Sequence, residues 1–120
     1  MAIKIVHFGS DNFNRIATLK SCGYSIDECN SLAQLHASLV GILPADAVAI
    51  AENIRNDDTV QDYAVSLVRA ITSIPLILFG NGNHDRVKAE FDLVVPNDAQ
   101  PDKWLSDLAE LIAHSSRRNL

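Results

Sequence analysis

The chain has 120 residues, 48% hydrophobic and 21% charged, with 15 acidic against 10 basic side chains and a formal charge of −5. That length holds one domain and not two, and area scaling lets it bury about two-thirds of its extended surface, enough for a core without disulfide or metal staples. The acidic balance argues against nucleic acid as a partner, because phosphate binding asks for clustered Lys and Arg. No apolar run reaches the ~20 residues of a membrane span, and Met1 leads into a strand-like segment carrying Lys4 instead of a signal sequence. A cytoplasmic protein without a membrane partner is expected, with Cys22 and Cys29 as reduced, mostly buried thiols.

In chain order, Ile3-Lys4-Ile5-Val6-His7-Phe8 reads as a strand ended by Gly9-Ser10-Asp11-Asn12. Ser10 or Asp11 caps a first helix in which Phe13, Ile16 and Leu19 recur every third residue, and Gly23 suits its C-terminus. Tyr24 to Cys29 is a short second strand, weak in β-propensity and placed near a sheet edge. Asn30 or Ser31 opens a second helix with Leu32, Leu35, Leu39 and Val40 on one face. Ala45 to Ala51 is a third strand, apolar on both faces apart from Asp46, as a central parallel strand requires. Its alanines imply closely packed helices.

The clearest helical pattern runs from Asp57 to Ser73, with Val60, Tyr63, Ala64, Leu67, Val68 and Ile71 on one stripe. Pro75 opens the apolar strand Leu76-Ile77-Leu78-Phe79, which stops at Gly80. A polar stretch follows with a short helix around Asp85–Lys88, then the strand Phe91-Asp92-Leu93-Val94-Val95, ended by Pro96. Pro101 opens the last helix, whose face is Trp104, Leu105, Leu108, Leu111 and Ile112. Five strands alternating with four or five helices predict a doubly wound α/β domain with a parallel sheet of order 2-1-3-4-5. The ligand crevice of such a sheet lies at the carboxyl ends of strands 1 and 3. The domain is expected over residues 1–116, with 117–120 as a frayed tail.

Leu19-Lys20-Ser21-Cys22-Gly23-Tyr24, Asp46-Ala47-Val48-Ala49-Ile50-Ala51, Pro75-Leu76-Ile77-Leu78-Phe79 and Asp92-Leu93-Val94-Val95-Pro96 follow one another in an order and spacing that resembles the receiver domains of two-component response regulators. The resemblance implies the flavodoxin-like receiver fold. It also implies a chemistry: an acidic pair after strand 1 holds Mg²⁺, an Asp ending strand 3 accepts a phosphoryl group, a hydroxyl ends strand 4, and a Lys precedes the strand-5 proline. Phosphoryl transfer needs such cations and such positioning. Here His7, Phe8, Gly9 and Ser10 stand after strand 1, Ala51 at the nucleophile position, Gly80 at the hydroxyl position and Val95 at the lysine position. A methyl group cannot attack phosphorus. The resemblance therefore implies the scaffold without its reaction, with Phe8, Gly9, Ala51, Glu52, Gly80 and Val95 lining a vestigial pocket. Glu52, next to Ala51, reads as a solvated strand-end residue or as a permanent carboxylate substituting for phosphoaspartate.

Other motifs carry less. Gly82-Asn83-His84-Asp85 matches one metal-binding turn of calcineurin-like phosphoesterases, but the remaining ligands of that dinuclear site are missing, and a turn explains it. Gly9-Ser10-Asp11-Asn12 is placed to cradle an anion at a helix N-terminus, though without the spacing of a dinucleotide or P-loop fingerprint. Asp11 reads equally as a helix cap. The four histidines show no metal-ligand spacing; His36 suits a partly packed structural position, and His7 can face the crevice. Trp104 reads as a core anchor or, if exposed, as part of an interaction face on strand 5 and the last helix. The expectation is a non-phosphorylated, receiver-like signalling or protein-interaction module, not an enzyme and without cofactor or metal. It would act through a protein partner or a homodimer. The alternative is a small anionic-ligand or nucleotide sensor or enzyme using the loops after strands 1 and 4.

Overall fold

The computed structural model describes residues 3–11, 13–41, 45–51, 58–80 and 91–118. Along these the elements are β1 (Lys4–Phe8), α1 (Arg15–Ser21), β2 (Ser25–Cys29), α2 (Leu32–Leu39), β3 (Ala47–Ala51), α3 (Asp58–Ile71), β4 (Leu76–Phe79), β5 (Leu93–Val95) and α4 (Pro101–Arg118). The strands form one parallel sheet in the order β2-β1-β3-β4-β5, the order expected from the alternation of elements. The short helix expected around 85–88 lies outside the described residues. Among the described residues, no helix is long and apolar enough to cross a membrane.

Strand alternation sorts the core into two layers. Val6, Phe8, Val48, Ile50, Leu76 and Leu78 pack with Leu35 of α2 and Ala64, Val65 and Val68 of α3. Ile5, Ala47, Ala49, Ile77, Phe79 and Val95 pack with Leu19 of α1 and Trp104, Leu108 and Ile112 of α4. Two aspartates seal the amino ends of the strands. The Asp46 carboxylate accepts the Lys4 N–H at 2.9 Å. The Asp92 carboxylate accepts the Leu76 N–H at 2.8 Å and pairs with Arg69 at 3.2 Å. Ser31 caps α2, its hydroxyl accepting the Gln34 N–H at 3.2 Å while the Gln34 side chain accepts the Asn30 N–H at 2.7 Å, a reciprocal cap. The Ser38 hydroxyl donates to Asp27 and lies 3.3 Å from the Cys29 thiol, fastening α2 to β2.

Several sequence expectations shift. Helix α1 begins at Arg15, so Phe13 precedes it and is 49% exposed. The delay follows from the cap: Asp11 takes the Arg15 and Ile16 N–H groups, and Asn14 sits in the left-handed region at φ 54°. Val40 ends α2 as an exposed C-cap residue, and Tyr63 is exposed while Val65 takes its place in the buried stripe of α3. Cys22 is exposed and only Cys29 is buried, so the thiols are not both core residues; both are free. Helix α4 continues through Arg118, two residues into the segment set apart as a tail.

Candidate functional site

The carboxyl ends of β1, β3, β4 and β5 converge at the edge where the receiver chemistry would stand. Gly9 follows β1 at φ +106°, and its N–H donates to the Cys29 carbonyl at 3.0 Å. A Cβ at Gly9 would lie 3.2 Å from the Ala51 methyl and 3.3 Å from the Ala51 carbonyl oxygen. The backbone of the first loop therefore rests directly on the end of β3. Only a glycine fits there, because a side chain would be both strained and obstructed. Ala51 is in register with Phe79, Phe79 with Val95, and the Gly80 N–H donates to the Val95 carbonyl at 2.9 Å. Gly9, Ala51, Gly80 and Val95 are thus brought together along one edge. Phe8 is turned into the α2/α3 layer instead. Glu52, Asn12 and the motif at 82–85 lie outside the described residues.

A Mg²⁺ ion of the receiver type does not fit the described residues. Neither Gly9 nor Ala51 offers a carboxylate, and Asp11, in the loop after β1, spends both oxygens on backbone N–H groups, at 2.7 Å from Arg15 and 3.2 Å from Ile16. No group of three or more His, Cys, Asp or Glu side chains among the described residues is placed to hold a metal. The same cap bears on the anion reading of Gly9-Ser10-Asp11-Asn12. Two donors that an incoming anion would need are already paired to a negative side chain.

Two side chains give this edge its character. His7 is 1% exposed, and neither ring nitrogen has a hydrogen-bond partner among the described residues. Burial holds its pKa below the ordinary value of 6.5, partly opposed by the negative charges of Asp11 and Glu28. Its ring packs against Phe79 with centroids 5.9 Å apart. Arg15 is 6% exposed and reaches from α1 to the loop after β5, where its Nη2 donates to the Pro96 carbonyl at 2.9 Å and the Asn97 carbonyl at 3.4 Å. Its guanidinium carbon lies 5.2 Å from the Trp104 ring, 5.5 Å from Phe79 and 5.9 Å from Phe13, an aromatic seat for a cation. Trp104, edge-on to Phe79 at 5.5 Å and 3% exposed, is a wall of this seat and a core anchor, so it contributes no surface to an interaction face. His36 is exposed on α2, not packed.

Sequence reasoning singled out His7 but missed Arg15. The signal was present in the spacing: Arg15 and Leu19 stand four apart and share one helix face, so the arginine belonged with the buried stripe.

The layered helices and the five parallel strands in the order β2-β1-β3-β4-β5 define a doubly wound α/β protein of the flavodoxin-like class. More narrowly, its fold is that of receiver domains. A receiver domain from Methylobacillus flagellatus is 20% identical, with 92% of this chain and 99% of that one covered and a TM-score of 0.69. The receiver domain of a sensor histidine kinase from Pseudomonas aeruginosa PAO1, with magnesium coordinated in its active site cleft, is 18% identical, with 94% and 99% covered and a TM-score of 0.72. The N-terminal domain of a three-domain response regulator, sensory box and GGDEF protein from Carboxydothermus hydrogenoformans is 10% identical, with 98% and 99% covered and a TM-score of 0.73. No protein-family model matches the chain, and no curated protein matches it.

Proposed function

We propose that this chain is a receiver-fold signalling module that works by binding protein, a partner or a second copy of itself, and does not pass through an aspartyl phosphate. One observation carries the reading. The loop backbone at Gly9 lies against Ala51 where the nucleophile and its metal would have to meet. Charge neutralisation and in-line positioning are what the reaction requires of a protein, and Gly9, Ala51, Gly80 and Val95 supply neither carboxylate, hydroxyl nor ammonium. The fold likeness to receiver domains supports the signalling assignment, and the cap formed by Asp11 weighs against the anionic-ligand alternative.

Incubation with acetyl phosphate and Mg²⁺, read by intact mass, is expected to give no phosphoryl adduct; an acid-stable, hydroxylamine-labile adduct on an aspartate overturns the reading. Thermal shift against nucleotides and phosphorylated metabolites is expected to be flat. Selective stabilisation by one of them would favour the sensor or enzyme instead.

A further inference from the structure

A buried imidazole with two unpartnered nitrogens costs stability, because each polar atom has given up water without a replacement. His7 carries that cost in the middle of the sheet. Its ring lies on Phe79, and Phe79 is also one wall of the seat that holds the Arg15 guanidinium. A titratable ring and a fixed cation thus share one aromatic side chain. Arg15 in turn is what fastens α1 to the loop carrying Pro96 and Asn97.

We propose that His7 and Arg15 form an acid-triggered latch, in which a proton taken by a ring nitrogen of His7 drives the Arg15 guanidinium out of its aromatic seat and releases the Pro96–Asn97 loop from α1.

The charges around His7 set the balance. The loop before α1 contributes Asp11, and β2 contributes Glu28, in register with His7 and tied to Lys20 of α1 at 3.9 Å. Arg15 of α1 stands over the Phe79 ring that His7 also packs against. The neighbours from β3 and β4, Ala49 and Phe79, and the nearest ring of α4, Trp104, carry no titratable group. The two acids favour a proton on His7, while burial opposes it. Two cations against one ring in a low-dielectric layer repel. Arg15, on a long flexible stem and not on a central strand, is the one able to leave.

The sign follows from linkage. His7 binds its proton less readily folded than unfolded, so stability from the neutral ring is complete above its ordinary value of 6.5 and is lost as the pH falls below it. Arg15 keeps its charge throughout that range.

The lone tryptophan, Trp104, reports on the seat directly. The full chain, titrated from about pH 7.5 to about pH 5, is expected to show a reversible red shift of Trp104 emission with unchanged far-UV circular dichroism. His7→Phe abolishes the shift, and folded Arg15→Met shows the red-shifted emission already at neutral pH. Histidine-ring NMR on the unsubstituted protein makes the result independent of whether the variants fold: His7 must titrate with the midpoint of the emission change. A flat emission over the range, a shift that persists in folded His7→Phe, or a His7 that stays neutral through the shift each overturns the latch.

Discussion

Against α2 and α3 the sheet presents Val6, Phe8, Val48, Ile50, Leu76 and Leu78; against α1 and α4 the same strands present Ile5, Ala49, Ile77 and Phe79, but also His7, and α1 adds Arg15. Among the described residues, the second layer holds a buried guanidinium and a buried imidazole and the first holds neither. In the first, shape and volume suffice. In the second, each polar group needs a reason to be there, and Arg15 has one in its carbonyl partners while His7 has none in the folded state. In the proposed latch, stability and responsiveness fall on opposite sides of one sheet.

Substitutions break that contrast in a definite order. Leu78→Ala, in the all-apolar layer, is expected to cost about 2–5 kcal/mol in urea unfolding, since a fully buried leucine leaves a cavity. Arg15→Met preserves much of the volume but strands the Pro96 carbonyl, for a loss of about 1.5–3 kcal/mol. Gly9→Ala, strained at φ +106° and pressed on Ala51, should lose about 1–2 kcal/mol in the same assay. His7→Ile has the opposite sign: removing two unpaired buried nitrogens is expected to raise stability by about 1 kcal/mol at neutral pH, and by more below pH 6.5. Destabilisation by His7→Ile at neutral pH would show that the imidazole does have a partner, and the contrast between layers would fail. Smallest of all, Lys20→Ala removes an exposed pair with Glu28 and should stay within about 0.5 kcal/mol.

Most of the architecture was legible in the sequence because parallel strands buried on both faces, such as Ala47–Ala51 and Leu76–Phe79, leave unbroken apolar runs that little else produces. The edge position of β2 was legible for the converse reason, since Asp27 and Glu28 interrupt it. Helix faces were read less well. Tyr63 and Val40 fit the period but lie outward, because an apolar residue at a stripe's margin turns in or out according to tertiary contact, which spacing does not encode. At the site, the alanine at position 51, where the resemblance to receiver domains implies a nucleophile, could be counted off from Asp46. The collapse of Gly9 onto that alanine could not, since it depends on a loop conformation. Arg15 escaped notice because charge suggests exposure, and only its aromatic surroundings, drawn from Phe13, Phe79 and Trp104, allow it inside.

The acceptors that Arg15 finds are main-chain oxygens, of Pro96 and Asn97. A carbonyl is supplied by whichever amino acid occupies the place, so mutation at 97 leaves the grip intact provided the bend of the loop survives. Divergent relatives can therefore rewrite that stretch without any compensating change at 15. The dependence between the two ends of the molecule is stored in the path of the chain and leaves no paired spelling behind.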